Sequence, residues 1–135
     1  MSIRRDESSA FTAASSRGLY KHGDGAILRA QDWLSARREE AVTVTDLARC
    51  ASLEPRTFLR RFVAATGMKP TEYQQRLRMT RAREVLEFSR KTVDEIASSV
   101  GYDDAGGFRR VFRSIVGLAP SDYRRRFSRL SRASD

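Results

Sequence analysis

Residues 69–88 read Lys-Pro-Thr-Glu-Tyr-Gln-Gln-Arg-Leu-Arg-Met-Thr-Arg-Ala-Arg-Glu-Val-Leu-Glu-Phe. The stretch has no glycine, and its one proline, Pro70, stands where a first helical residue belongs. Glu72 follows in the first turn, where a negative charge meets the helix dipole favourably. Tyr73, Leu77, Ala82, Val85 and Leu86 recur closely enough to a helical stripe to bury one face. Arg76, Arg78, Arg81 and Arg83 stand between them. The pattern predicts one uninterrupted helix, and twenty such residues span about 30 Å.

A copy of one motif lies on each side of this rod. Thr43-Val44-Thr45-Asp46-Leu47-Ala48 answers Thr92-Val93-Asp94-Glu95-Ile96-Ala97. After a one-residue slip, Phe58-Leu59-Arg60-Arg61-Phe62 answers Phe108-Arg109-Arg110-Val111-Phe112. Gly67, Pro70 and Tyr73 answer Gly117, Pro120 and Tyr123 at an offset of 50. Two copies are too few for a solenoid, which needs about three or more.

Each copy predicts two short helices and a tight turn. Thr43 and Thr92, each with an acid three residues on, mark capping-box starts. Pro55 and Asp104 open the second helices, and Gly67 and Gly117 stop them. Phenylalanines one turn apart, Phe58 with Phe62 and Phe108 with Phe112, must point inward. That rotation leaves Arg56, Leu59, Arg60 and Val63 on or near the outer face of the first such helix. On the second it leaves Ala105, Gly106, Arg109, Arg110 and Arg113. The arrangement is that of a helix-turn-helix. Ala26 to about Arg38 predicts an earlier helix with Ile27, Ala30, Trp33 and Leu34 inward and Asp24 as its cap. Pro120 to about Phe127 predicts a last one. The expected fold is all-α, with about seven helices.

The organisation expected is a flexible tail or linker over 1–25, a domain over 26–127 and a frayed basic tail over 128–135. Within the domain the first helix-turn-helix covers about 43–67, the linker helix about 70–88 and the second helix-turn-helix about 92–117. The chain has 135 residues, 40% of them hydrophobic, enough for one compact unit or two small ones. No apolar run approaches the length of a membrane span, so no membrane partner is expected. The one cysteine, Cys50, fits a reducing cytoplasm and a small core site. His22, the one histidine, has no cluster of acids or cysteines at ligand spacing, so no metal or other cofactor is expected. Nor does any nucleophile–base set or phosphate loop suggest an enzyme. A net charge of +9 and a pI near 10.7 favour a polyanionic partner. Most of that charge is arginine, which suits bidentate contacts to guanine or phosphate.

Together these residues resemble the AraC/XylS family of bacterial transcription regulators. The resemblance runs from about Ala26 to Phe127. It is carried above all by Val100-Gly101-Tyr102, Phe108-Arg109-Arg110-Val111-Phe112 and Gly117-Leu118-Ala119-Pro120-Ser121-Asp122-Tyr123-Arg124. His22-Gly23-Asp24 with Ala30-Gln31-Asp32-Trp33-Leu34 resembles the start of this domain in members with an N-terminal amidotransferase-like (PfpI-type) domain. The chain thus looks like the DNA-binding end of a larger regulator, or a free-standing version of it.

The resemblance implies a cytoplasmic, sequence-specific regulator of transcription whose two recognition helices enter successive major grooves. Its expected partner is double-stranded DNA, with RNA polymerase a second candidate, and the domain alone is expected to be monomeric. Carried over residue by residue, it implicates Arg56, Leu59 and Arg60 in base reading on the first helix. On the second it implicates Ala105, Gly106, Arg109 and Arg110. Thr57, Arg61 and Arg113 become phosphate candidates. The sequence departs from the family pattern at Glu54, where a small capping hydroxyl is usual and a carboxylate faces the phosphates. It departs again at Gly106-Gly107, which removes side chains from a reading position. Those departures favour the first helix as the main base reader, although glycines also let a backbone approach a ligand closely. They also support one rival: a protein-interaction module on this fold that has lost DNA reading.

Overall fold

The computed structural model describes residues 23–130. The expected tail over 1–25, with His22, falls almost wholly outside them, as do the last five residues of the expected 128–135 tail. The described residues form seven helices and no strand: α1 Gly25–Ala36, α2 Val44–Cys50, α3 Pro55–Thr66, α4 Pro70–Phe88, α5 Val93–Ser99, α6 Ala105–Val116 and α7 Pro120–Phe127. None is long and apolar enough to cross a membrane. The chain divides into two compact units, one ending at Leu77 and the other beginning at Arg78, inside α4.

The helix starts follow the local chemistry. Thr43 accepts from the Asp46 N–H while Asp46 accepts from the Thr43 N–H, and Thr92 and Glu95 repeat the exchange. Each box satisfies two N–H groups that the first turn would otherwise leave open. Asp24 caps α1 through the Ile27 N–H. Gly67 and Gly117 end α3 and α6 at φ 81° and 95°, a left-handed conformation that costs glycine little.

In the first unit, Ile27, Ala30 and Leu34 of α1 pack with Leu47, Ala48, Ala51, Phe58, Phe62, Tyr73 and Leu77. The ring centroids of Phe58 and Phe62 lie 5.5 Å apart, and Tyr73 meets Phe62 edge-on at the same distance. Gln31 is buried with them and donates to the Tyr73 hydroxyl at 3.1 Å, which satisfies both polar tips. Gln74 donates to the Arg38 and Glu40 carbonyls and fastens the loop after α1. Trp33 is only half-buried, with the Arg37 guanidinium 4.2 Å above its ring. Cys50 is also half-buried, its thiol 3.8 Å from the Arg29 carbonyl.

The second unit repeats the plan. Met79, Ala82 and Leu86 of α4 pack with Ile96, Ala97, Val100, Phe108, Phe112 and Tyr123. Phe108, Phe112 and Tyr123 again follow one another at 5.7 Å. The polar finish differs. The Tyr123 hydroxyl donates to Glu87 and accepts from Arg83 at 3.1 Å. Burial, reinforced by the Glu87 bond, pushes that phenol up to about 12. Arg124 donates to the Leu86 and Ser89 carbonyls, closing the last turn of α4.

Two substitutions test this account. Phe112→Ala removes a ring with no exposed surface and is expected to cost about 3–5 kcal/mol, measured by denaturant unfolding. A Cβ placed on Gly67 meets nothing within 4 Å, so Gly67→Ala isolates the backbone cost of positive φ. Its expected loss is about 1 kcal/mol or more. A shift of that size lowers the melting temperature by about 4–8 °C in a domain of this size, and an unchanged value would refute the assignment.

Candidate nucleic-acid interface

Burying Phe58 and Phe62 fixes the rotation of α3. Arg56, Arg60 and Val63 are then exposed, and Thr57, Leu59 and Arg61 are half-buried at the edges. Pro55 occupies the first helical position. Glu54 is the cap, accepting from both the N–H and the hydroxyl of Thr57 at 3.3 Å. The carboxylate at this position therefore does the work of the small hydroxyl expected there. Thr57 spends its hydroxyl on the same contact.

Arg61 is differently employed. Its Nε donates to Asp24 Oδ2 at 3.1 Å and its Nη2 to Asp24 Oδ1 at 2.7 Å, a two-point pair from α3 to the start of α1. The Arg61 guanidinium, helped by the Ile27 N–H, holds the Asp24 carboxyl below its ordinary value against the opposing effect of burial. Sequence reasoning offered Arg61 for phosphate and Asp24 for capping. It did not pair them, because their meeting depends on how α1 packs against α3. Among the described residues, the Arg56 and Arg60 side chains make no ion pair or hydrogen bond. They remain available to an external acceptor.

α6 carries the same register. Phe108 and Phe112 are fully buried, and Arg109, Arg110 and Arg113 are exposed. Asp104 caps the helix through the Gly106 and Gly107 N–H groups at 3.3 and 3.0 Å. Ala105 packs partly against the core cluster, so its methyl group is shared between the core and the outer surface. Arg109 reaches Asp94 at 3.3 Å in an exposed pair, of the kind that water and salt weaken readily. Arg110 and Arg113 make no ion pair or side-chain hydrogen bond among the described residues.

Two short helices joined by a tight turn, with a cationic outer face on the second, define a helix-turn-helix, and this chain carries two. The profile of the helix-turn-helix domain family matches residues 47–126. The chain belongs to that family, in its AraC/XylS type. The HTH-type transcriptional activator RhaS of Yersinia pestis (strain Pestoides F) is 35% identical over 101 residues, 75% of this chain and 37% of RhaS. The MmsAB operon regulatory protein of Pseudomonas aeruginosa is 34% identical over 103 residues, covering 76% and 32%. The chain thus spans about a third of the length of these relatives. Among solved structures, the DNA-binding domain of AdpA, a global transcriptional factor, in complex with a target DNA aligns with a TM-score of 0.70. It is 32% identical, covering 75% of this chain and 91% of that one.

The Asp24–Arg61 pair generates a pH prediction. A carboxyl depressed in the folded state contributes stability that is present above its unfolded value and lost as pH falls through the folded one. Asp24→Asn keeps an acceptor for the Ile27 N–H but removes the charge. It is expected to melt below the wild type at pH 7, with the gap closing as pH falls below the ordinary 3.8. A gap that persists unchanged into acid would mean the charge is not what matters.

Proposed function

We propose that this chain binds double-stranded DNA sequence-specifically and regulates transcription, with α3 and α6 entering successive major grooves. The observation that carries the reading is the cationic outer face on both of these helices, set outward by the buried phenylalanine pairs. Net charge of +9 supplies the attraction to phosphate, which positions the protein without reading sequence. Arg56 and Arg60, one turn apart, face bases, and Arg60 pairs with the O6 and N7 of one guanine. Leu59 borders them and supplies an apolar edge. Arg109 and Arg113 exchange weak or absent internal partners for phosphate oxygens. Arg61 is held by Asp24 and supports α3 from behind. The relatives' printed roles as activators and regulators, and AdpA's complex with a target DNA, support the same reading. We assign the action to the cytoplasm, by a monomeric domain.

Salt dependence separates this reading from a protein-interaction module. With about six phosphates neutralised, the logarithm of the binding constant falls against that of salt with a slope near −5. A slope near zero would contradict it. Arg60→Ala is expected to cost about 1–3 kcal/mol on a preferred site and to relax preference at one base pair, measured by titration against single-mismatch duplexes. Equal losses on every sequence would demote Arg60 to a phosphate contact.

A further inference from the structure

The start of α6 differs from that of α3 in a way the fold does not require. At the offset of 50, Glu54, Arg56, Thr57 and Arg60 correspond to Asp104, Gly106, Gly107 and Arg110. Gly106 and Gly107 lie inside a helix, where glycine is a poorer former than alanine. Neither has the positive φ that explains Gly67, Gly101 and Gly117. A Cβ on Gly106 would meet Asp104 oxygens at 3.5 and 3.6 Å and the Arg110 Nη1 at 3.7 Å. On Gly107 it would meet Asp104 Oδ2 at 3.5 Å and Arg110 Nη2 at 3.6 Å. These are ordinary contacts, so the protein's own packing accepts alanine at both positions.

The same distances locate the Arg110 side chain. Helical side chains lean toward the N-terminus and cover the turn before them. For Arg110 that turn is Gly106 and Gly107, and its guanidinium lies over them, on the same patch as the Asp104 carboxylate. In α3 the matching positions carry the Arg56 and Thr57 side chains. The guanidinium stands at the positive end of the helix dipole, where a cation is disfavoured and the Asp104 charge compensates. No ion pair or hydrogen bond fixes it there among the described residues. It is therefore placed low on the helix and free to turn to an outside acceptor.

We propose that Gly106, Gly107 and Arg110 form one base-reading element, in which the bare first turn brings the α6 backbone close to the base edges and Arg110 reads a guanine beside it. α6 then discriminates by close approach and one arginine, where α3 uses several side chains. The inference rests on the DNA-binding reading above and reverses the expectation that the glycines weaken base reading by α6. A side chain at either glycine holds the helix off the bases and fills the space beside the guanidinium that a base edge would take.

The test compares the wild type, the Gly106→Ala/Gly107→Ala double variant and Arg110→Ala on duplexes obtained by selection from random DNA, and on a scrambled duplex. The double variant is expected to melt higher by about 4 °C or more, because alanine favours the helix. Despite that gain it is expected to bind the selected site about tenfold or more weakly, with scrambled-site binding within about twofold of wild type. Arg110→Ala is expected to lose about 5- to 150-fold preference at one base pair. A double variant that melts higher and binds the selected site like the wild type overturns the inference. So does an Arg110→Ala loss spread evenly over selected and scrambled DNA. A wild type with no preference for its selected duplex overturns both this inference and the DNA-reading function, whereas the two preceding results leave that function standing.

Discussion

Two phenylalanines one helical turn apart set the orientation of everything else in each unit. Phe58 and Phe62, like Phe108 and Phe112, are fully buried and continue into a tyrosine from the following helix, Tyr73 or Tyr123. A helix has one azimuth for each choice of buried face. Seating both rings therefore decides which side chains reach water, and in both helices those include arginines. Turning α3 so that Thr57 and Arg61 took the inner positions, or α6 so that Arg109 and Arg113 did, would bury an arginine and expose a phenylalanine, at a cost of several kcal/mol from each change. The hydrophobic core thus enforces the electrostatic surface.

Most of the fold was legible because its signals are local. Capping boxes at Thr43 and Thr92, prolines at 55, 70 and 120, and glycines at 67 and 117 act within a few residues of themselves. Six helices follow from these signals and α1 from its Asp24 cap, all with boundaries within two residues of expectation; α1 ends at Ala36 against an expected Arg38. What was not legible depends on how elements pack. Met79 is buried although it lies outside the α4 stripe of Tyr73, Leu77, Ala82, Val85 and Leu86, because the seam it joins is set by the second unit's core. Gln31 is buried because Tyr73, from a helix 42 residues away, offers it a hydroxyl. Nothing in the sequence around Gln31 announces that partner.

The candidate interface divides the same way. Which arginines point outward was readable from the phenylalanine spacing, whereas Leu59 and Ala105, expected outside with them, are half-buried. What those residues do once outward was not, because it depends on neighbours. Arg61 and Arg60 are adjacent and chemically identical, yet one is tied to Asp24 and the other's side chain makes no ion pair or hydrogen bond among the described residues. Glu54 looked out of place beside phosphates, and its carboxylate instead closes the first turn of its own helix. The glycine pair reads as a loss until the position of Arg110 over it is known.

The buried phenylalanine pairs set two cationic helix faces outward, and the proposed function requires both to meet DNA. Selection of bound duplexes from random DNA by the intact chain tests it most directly. Enrichment of two short sequence blocks is expected, each about 3–5 base pairs long, with centres about one helical turn, or 10–10.5 base pairs, apart. Recovery of sequences without any shared block, at affinities equal to the unselected pool, would contradict it.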